Sequence, residues 1–436
     1  MLSLYIHIPF CANKCIYCSF NSIPINSIPN LPAGRQGSQL IINNYVDQVC
    51  KEIQHYSEIF PNEEIKSIYF GGGTPSKIGA ENIIKIIEEI NQIRNLENLV
   101  ELSIELNPYP EDEIFHFVKT ISKKYDKFSR VRFSRGIQSL DNNVLSDVGR
   151  PYTFAGVADF LRWLREIKQE NNIFNFDFIA FGKFNVEKNG NKKLWDDVRL
   201  NFFKNFAESW MADSFSIYTL EWIKSEAWRV TSYEKWKNHL LSSAKKSSVI
   251  FYWNDDEIYE EFEILKGMVL DAWYQRYELS NFAKLGKNSI HNMVYRNMEN
   301  YIGIGVSASS FINCHSEAKL KNINLYPSLC SGWQSLRWTN TDSIDEYIKW
   351  NRNDKSKIIK LTEKDFLIEK FFLRMRTNEW IQNLNEFKNV LIPNYEEQIA
   401  DYEKNWFLKI DWKKIKLTDK WMDVYNSIIT ELLKEI

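Results

Sequence analysis

The sequence predicts an α/β fold, a partial (β/α)6 barrel joined to a mainly helical, winged-helix-like C-terminal domain. Three observations carry that reading. Over residues 1–220, short β-rich runs alternate with longer stretches of helical period. Each strand–helix unit takes about 35–40 residues, the spacing that βα units and a parallel sheet require. The residues with chemical potential directly follow strands, where sites in such folds lie.

The elements follow in order. Strands are expected at 3–9, 65–70, 99–106, 130–137, 173–181 and 214–220, and helices at 45–59, 81–93, 111–123, 154–170 and 194–208. Six units suit a partial or open barrel better than a closed eight-stranded one, which takes about 250 residues. Residues 21–40 interrupt the pattern with Pro and Gly punctuation and read as a flexible insertion. Residues 224–254, rich in charge and tryptophan (Trp222 just before, then Trp228, Trp236 and Trp253), take no assignment. The chain then divides into a 221–355 extension and a 356–436 end domain. In that last part helices at 363–375, 395–405 and 419–433 flank a hairpin at 408–417, a winged-helix-like order.

The chain has 436 residues, 44% hydrophobic and 26% charged, with a formal net charge of −2. That balance supplies a sizeable core and argues against bulk nucleic-acid binding. No apolar run approaches the ~20 residues needed to span a bilayer, and the N-terminus lacks the features of a signal peptide. Three of the six cysteines fall within residues 11–18, which in a reducing compartment reads as a metal site rather than a disulfide framework. A cytoplasmic location follows.

The chemistry concentrates in two loops. Cys11-x-x-x-Cys15-x-x-Cys18 comes directly after the first strand. Three thiolates on one loop hold three irons of a cubane cluster and leave the fourth iron open. A zinc site completed by His7 or Cys50 is the alternative, although only Cys15 and Cys18 have the usual zinc spacing. Gly71-Gly72-Gly73-Thr74-Pro75-Ser76 ends the second strand, and its missing side chains let backbone approach a ligand.

With those loops the chain resembles the radical S-adenosylmethionine (SAM) enzymes. It is most similar to the group of oxygen-independent coproporphyrinogen III oxidase and the heme chaperones of the HemW type. The likeness continues through Ile104-Glu105-Leu106-Asn107-Pro108, Phe133-Ser134-Arg135-Gly136-Ile137-Gln138-Ser139, Tyr277-Glu278-Leu279-Ser280-Asn281, His291-Asn292-x-x-Tyr295, Tyr301-x-Gly303-x-Gly305 and Arg337-Trp338-Thr339-Asn340. It implies a 4Fe-4S cluster on Cys11, Cys15 and Cys18, with SAM held at the open iron and cleaved by one electron. Tyr5 and Tyr17 would flank the cluster, and Gly72, Gly73 and Thr74 would take the methionine end of SAM. Glu105, Gln138, Arg150 and Asp177 match positions that contact SAM or a second ligand.

Two functions stay open under the resemblance: a heme chaperone that passes heme to acceptor proteins, or a radical enzyme acting on coproporphyrinogen III or another substrate. Phe20 stands where the oxidases carry a fourth cysteine, and the chain starts only four residues before Tyr5, without the N-terminal extension of the oxidases. Both favour the chaperone branch. His291 is then the expected axial ligand of heme, since histidine is the usual one. Cys314-His315 and Cys330 are weaker candidates. Arg296, where the family usually has Trp, and Phe181-Gly182-Lys183, where it has Gly-Leu-Pro, mark a divergent member. His55, His116 and His239 are expected at the surface. Heme and heme-accepting proteins are the implied partners, with transient membrane association left open.

Overall fold

The computed structural model describes residues 1–25, 35–108, 110–182, 185–186, 192–220, 255–313, 335–349, 357–419, 422 and 425–433. Strand β1 (Leu2–Ile8) runs into a two-residue ribbon of β2 (Phe10–Cys11) and β3 (Ile23–Pro24), then helix α1 (Arg35–Ile59) and β4 (Ile65–Gly72). The alternation continues as α2 (Ala80–Ile93), β5 (Glu101–Leu106), α3 (Glu111–Lys124), β6 (Val131–Gln138), α4 (Asn142–Asp147), α5 (Phe154–Ile167) and β7 (Asn172–Ala180). A small ribbon of β8 (Asn185–Val186) and β9 (Lys192–Lys193) precedes α6 (Asp197–Glu208) and β10 (Ser214–Thr219).

The six strands β1, β4, β5, β6, β7 and β10 lie side by side in that order, all parallel. This is the partial (β/α)6 barrel, with helices covering its outer face. Strands covered on both faces bury nearly every side chain, and all eight residues of β6 are buried.

The sheet does not stop there. After α7 (Asp255–Asp271), β11 (Gln275–Glu278) and β12 (Asn281–Ala283) extend it antiparallel beyond β10. Past the short α8 (Ile290–Arg296), β13 (Tyr301–Ile304) pairs parallel with β1. Then β14 (Ser309–Asn313), β15 (Ser335–Thr339), α9 (Ile344–Lys349) and β16 (Lys357–Leu361) complete twelve strands. The C-terminal region consists of α10 (Glu363–Met375), α11 (Tyr395–Lys404), the hairpin β17 (Leu408–Asp411) and β18 (Lys414–Leu417), and α12 (Tyr425–Leu432), the winged-helix-like order. It has its own apolar cluster, from Phe366 to Leu433, which takes in Leu279, Met298 and Phe311 from the sheet side.

Two expectations need correction. Residues 21–40 are not one loop: Ile23–Pro24 pairs with Phe10–Cys11, and α1 begins at Arg35, ten residues ahead of Tyr45. Ile41, Ile42, Tyr45, Val46 and Val49 continue one buried stripe that the polar residues among them obscure. His55 is buried, with its ring 5.5 Å from that of Tyr56. Helix α1 packs on the sheet and on its helical neighbours at once, so Gln48, Glu52 and His55 are covered as well. His116 is exposed as expected. Trp222, Trp228, Trp236, His239, Trp253, Lys183, Cys314, His315 and Cys330 lie outside the described residues.

Candidate functional site

The C-terminal ends of β1 and β4 are stitched together. Gly73 donates its N–H to Ile8 O (2.8 Å) and Thr74 donates to Phe10 O (2.9 Å). The glycine loop thus forms the floor under the cysteine loop. Gly72 has a φ of +111°, and a Cβ there would lie 2.5 Å from the imidazole of His7. Its missing side chain makes room for His7, where the sequence suggested room for a ligand.

His7 is a fixed part of this floor. Its Nε2 lies 2.8 Å from the carbonyl of Asn21, which can only accept, so Nε2 carries the proton. Nδ1 then accepts from the Tyr5 hydroxyl at 3.0 Å. Burial pushes the imidazole pKa down, the Asn21 carbonyl opposing, so it is held neutral. With both nitrogens engaged, His7 has none to complete a zinc site. Cys50, buried on α1, has its thiol pKa raised to about 11, first by burial.

A chain of contacts runs from one end of the cysteine loop to the other. Cys11 Sγ lies 3.6 Å from Thr74 Oγ1. Asn107, just past β5, donates to Thr74 Oγ1 (2.7 Å) and accepts from Arg150 Nη1 (2.8 Å). Arg150 donates through Nε (2.9 Å) and Nη2 (2.6 Å) to the hydroxyl of Tyr17, which sits between Cys15 and Cys18. Burial opposes the charge of Arg150, but Tyr152, Tyr17 and Cys15 outweigh it and raise its pKa. Gln138, at the end of β6, takes a φ of +69°, and its amide nitrogen lies 2.5 Å from where a Cβ on Gly136 would be. Gly136 is the clearance that brings Gln138 and Arg150 against the strand.

Beside this relay, a cavity of about 330 Å³ is lined by Tyr5, His7, Phe20, Gly72, Glu105 and Tyr295, among others. Glu105 accepts from the Tyr69 hydroxyl (2.7 Å) and Gly72 N (3.2 Å), and burial pushes its pKa up to about 7. Asp177, further along the barrel interior on β7, accepts from Asn175 Nδ2 (2.6 Å) and Ser134 Oγ (3.2 Å); burial raises its pKa too. Asp177 is not among the residues lining this cavity.

The His-Asn-x-x-Tyr segment forms α8, seated inside the barrel. His291 is wholly buried, and its ring lies against Tyr69, 5.1 Å between centroids. Ser67 donates its hydroxyl to Ser3, so at 2.8 Å it accepts from His291 Nδ1–H. His291 Nε2 then accepts from the Tyr295 hydroxyl, also at 2.8 Å. Burial takes the imidazole pKa down to about 3. The expectation of an axial heme nitrogen on His291 is corrected: neither nitrogen is open to iron. His291 instead orients Tyr295, which reaches the cavity.

Three free thiols on one loop, with Cys11 buried and Cys15 and Cys18 half-buried, are a donor set that fits a cubane cluster. Among the described residues no three metal-ligating side chains close on a single ion. A cubane asks for something else, one thiolate on each of three irons. Sequence reasoning placed Tyr5, Tyr17, Thr74, Glu105, Gln138 and Arg150 at this end of the barrel, and the structure brings them around the two loops. It singled out neither Asn107 nor Tyr69, whose only signal was a place inside or beside a matched motif.

Comparison with known proteins gives this site a lineage. Residues 5–188 match the radical SAM superfamily. The chain is 30% identical over 329 residues to a "Heme chaperone HemW" of Buchnera aphidicola subsp. Schizaphis graminum, covering 74% of this chain and 75% of that one. The heme chaperone HemW of Lactococcus lactis is 24% identical over 99% of this chain and 97% of its own. In fold, coproporphyrinogen III oxidase (HemN) from Escherichia coli superposes with a TM-score of 0.66 at 19% identity, covering 99% of this chain and 90% of that one. With the cysteine loop, the glycine loop and the His-Asn-x-x-Tyr helix in one barrel, the chain belongs to the radical SAM superfamily, in the coproporphyrinogen III oxidase-like group, with the HemW proteins.

Proposed function

We propose that this protein binds heme and transfers it to acceptor proteins, with a 4Fe-4S and SAM site beside the heme. The observation that carries the chaperone reading over the oxidase is Phe20. It is 60% exposed and lines the cavity at the position where the oxidases have a fourth cysteine. The curated relatives named as heme chaperones support it.

In this reading Cys11, Cys15 and Cys18 would hold the cluster, and the chemistry it would supply is one-electron reduction of SAM. Thr74 and the Asn107–Arg150–Tyr17 chain fix the loop so that the thiolates keep their spacing. Tyr5 and Tyr17 remain the residues assigned to flank the cluster, and Gly72, Gly73, Thr74, Glu105, Gln138, Arg150 and Asp177 those assigned to SAM or a second ligand. Heme is held by apolar and aromatic contact at the cavity wall of Phe20, Tyr295 and Tyr301, with His291 as a positioning residue behind Tyr295.

Anaerobic reconstitution followed by heme titration tests this. Iron should be retained by wild type and by Cys50→Ala, and lost from Cys11→Ala, Cys15→Ala and Cys18→Ala. Heme should bind, and His291→Gln should leave the Soret position unchanged, whereas loss of an axial histidine would shift it. Conversion of coproporphyrinogen III to protoporphyrinogen IX would overturn the chaperone reading.

A further inference from the structure

We propose that the cavity where α2 and α3 end, at the barrel end opposite the cysteine loop, binds a small aromatic carboxylate. The inference does not depend on the heme reading.

The cavity holds about 220 Å³ and lies at the N-terminal ends of the strands. Leu96 comes just before β5 and Phe128 just before β6, whereas the cysteine loop follows the C-terminal end of β1. Its floor is apolar: Ile87 and Leu96 are 1% exposed, and Tyr125 is 6% exposed. The ring of Phe128, a half-buried residue, stacks on that of Tyr125, with centroids 4.8 Å apart and planes 25° from parallel. Glu88, Asn91, Lys124 and Lys127 form the rim.

The walls are fixed before any guest arrives. Asn91 Oδ1 accepts from Leu96 N (3.2 Å), and Leu99 N donates to Leu96 O (3.0 Å). On the α3 side, Asn171 Nδ2 donates to the carbonyls of Tyr125 and Phe128, both at 3.1 Å. Two loops pinned in this way make a preformed site, and such a site binds at little ordering cost.

The polar groups left over select the guest. The Tyr125 hydroxyl is buried and has no hydrogen-bond partner. Phenylalanine would fill the same space without stranding a hydroxyl, so the fold gains nothing from this one. Burial pushes the phenol pKa up, with Glu88 adding to it, so the group stays protonated and donates. Glu88 and Lys124 pair with each other at 2.7 Å. Lys127 has no ion-pair partner among the described residues, and Asn91, its oxygen engaged, has its amide nitrogen to offer. Three donors, against one carboxylate that is already paired, call for an anion rich in acceptor oxygens. The apolar floor and the stacked rings call for a planar body. A carboxylate on an aromatic ring has both. A volume below the ~300 Å³ at which drug-sized sites begin limits the guest to a small ring system.

The test is calorimetric titration with benzoate and indole-3-acetate. Benzamide and indole-3-acetamide serve as their neutral counterparts, and inorganic phosphate as the bare anion. At least one carboxylate should bind, and its amide should bind at least roughly tenfold more weakly. Phosphate should not bind in the same concentration range. Tyr125→Phe should weaken the carboxylate at least roughly tenfold, while the thermal midpoint of the free protein holds or rises, since no bond in the fold is lost. A hydroxyl with a merely structural role would instead lower the midpoint and leave the affinity alone. Lys127→Gln should weaken binding too and lessen its dependence on salt. The proposal falls if neither carboxylate binds, if the amide or phosphate binds as well as the carboxylate, or if Tyr125→Phe binds like wild type.

Discussion

The carboxylate of Glu101, in the wall of the barrel, accepts the backbone N–H groups of Ile290 (3.0 Å) and His291 (3.1 Å). A side chain of β5 thereby caps the helix that carries the His-Asn-x-x-Tyr motif. Negative charge at a helix N-terminus is favourable, and here it is desolvated, with Glu101 wholly buried. Ser103 and Ser289 donate to the same carboxylate, and Arg130 lies 3.6 Å from it.

Glu101→Ala should therefore cost on the order of 2–4 kcal/mol, because it strands two backbone donors and a half-buried guanidinium at once. Urea unfolding measures it. The loss should exceed that of Asn292→Ala, whose side chain is only half-buried. Equal losses would show that the helix is held by its apolar side alone.

Asn107→Ala should leave the fold intact and weaken the grip on iron. The substitution cuts the contact between Thr74 and Arg150 and leaves Arg150 its two bonds to Tyr17. Partners behind a metal ligand typically contribute 10–100-fold to affinity. The rate of iron loss to a chelator after anaerobic reconstitution should rise within that range. An unchanged rate would remove Asn107 from the support of the cluster.

The sequence was readable where one physical rule dominated. Buried parallel strands follow apolar β-rich runs, and the six barrel strands lie within a few residues of expectation. The cysteine loop was readable from spacing alone. At the glycine loop the structure adds a requirement the sequence did not show: Gly72 accommodates His7, a contact between strands that no local pattern encodes. Helix α1 hid its first ten residues because only Ile41 and Ile42 of them mark its buried stripe, while Gln39, Leu40, Asn43 and Asn44 are exposed beside them. The ligand role given to His291 failed because residue type does not reveal that Ser67 and Tyr295 already occupy both nitrogens.

Arg135→Leu should stabilise the protein. Arg135 on β6 is 2% exposed and points into the helix layer against Phe160. All three of its guanidinium nitrogens lack a hydrogen-bond partner, and burial drives its pKa well below the usual value. An uncompensated buried cation is among the costliest features a core can hold, and an apolar residue of similar reach removes the penalty. A gain of about 1–3 kcal/mol is expected in urea unfolding. A loss would mean that the guanidinium reaches a partner in solution.

Glu105 should lower the unfolding free energy of the cluster-free protein as pH rises from about 4.5 to 7, opposite in sign to His7 and His291, whose imidazoles burial pushes down. Its carboxyl, normally near 4.5, is pushed up to about 7, first by burial, while its bonds from Tyr69 and Gly72 pull the other way. The native state thus holds this proton more tightly than the unfolded chain does. A group of that kind destabilises progressively above its unfolded pKa, and the loss is complete once pH passes the folded value. The window is therefore about pH 4.5 to 7, and the size is on the order of 1–3 kcal/mol. Glu52, held by Gly305 N, Asn340 and the Tyr347 hydroxyl, is likewise pushed up to about 7, first by burial, and adds a slope of the same sign. Glu105→Gln should remove one part of this loss and Glu52→Gln another, and the double variant should remove both, leaving the contributions of His7, His291 and Asp177. If Glu105→Gln leaves the slope as it was, its carboxyl ionises freely in the folded protein, and the cavity floor beside Gly72 is wet.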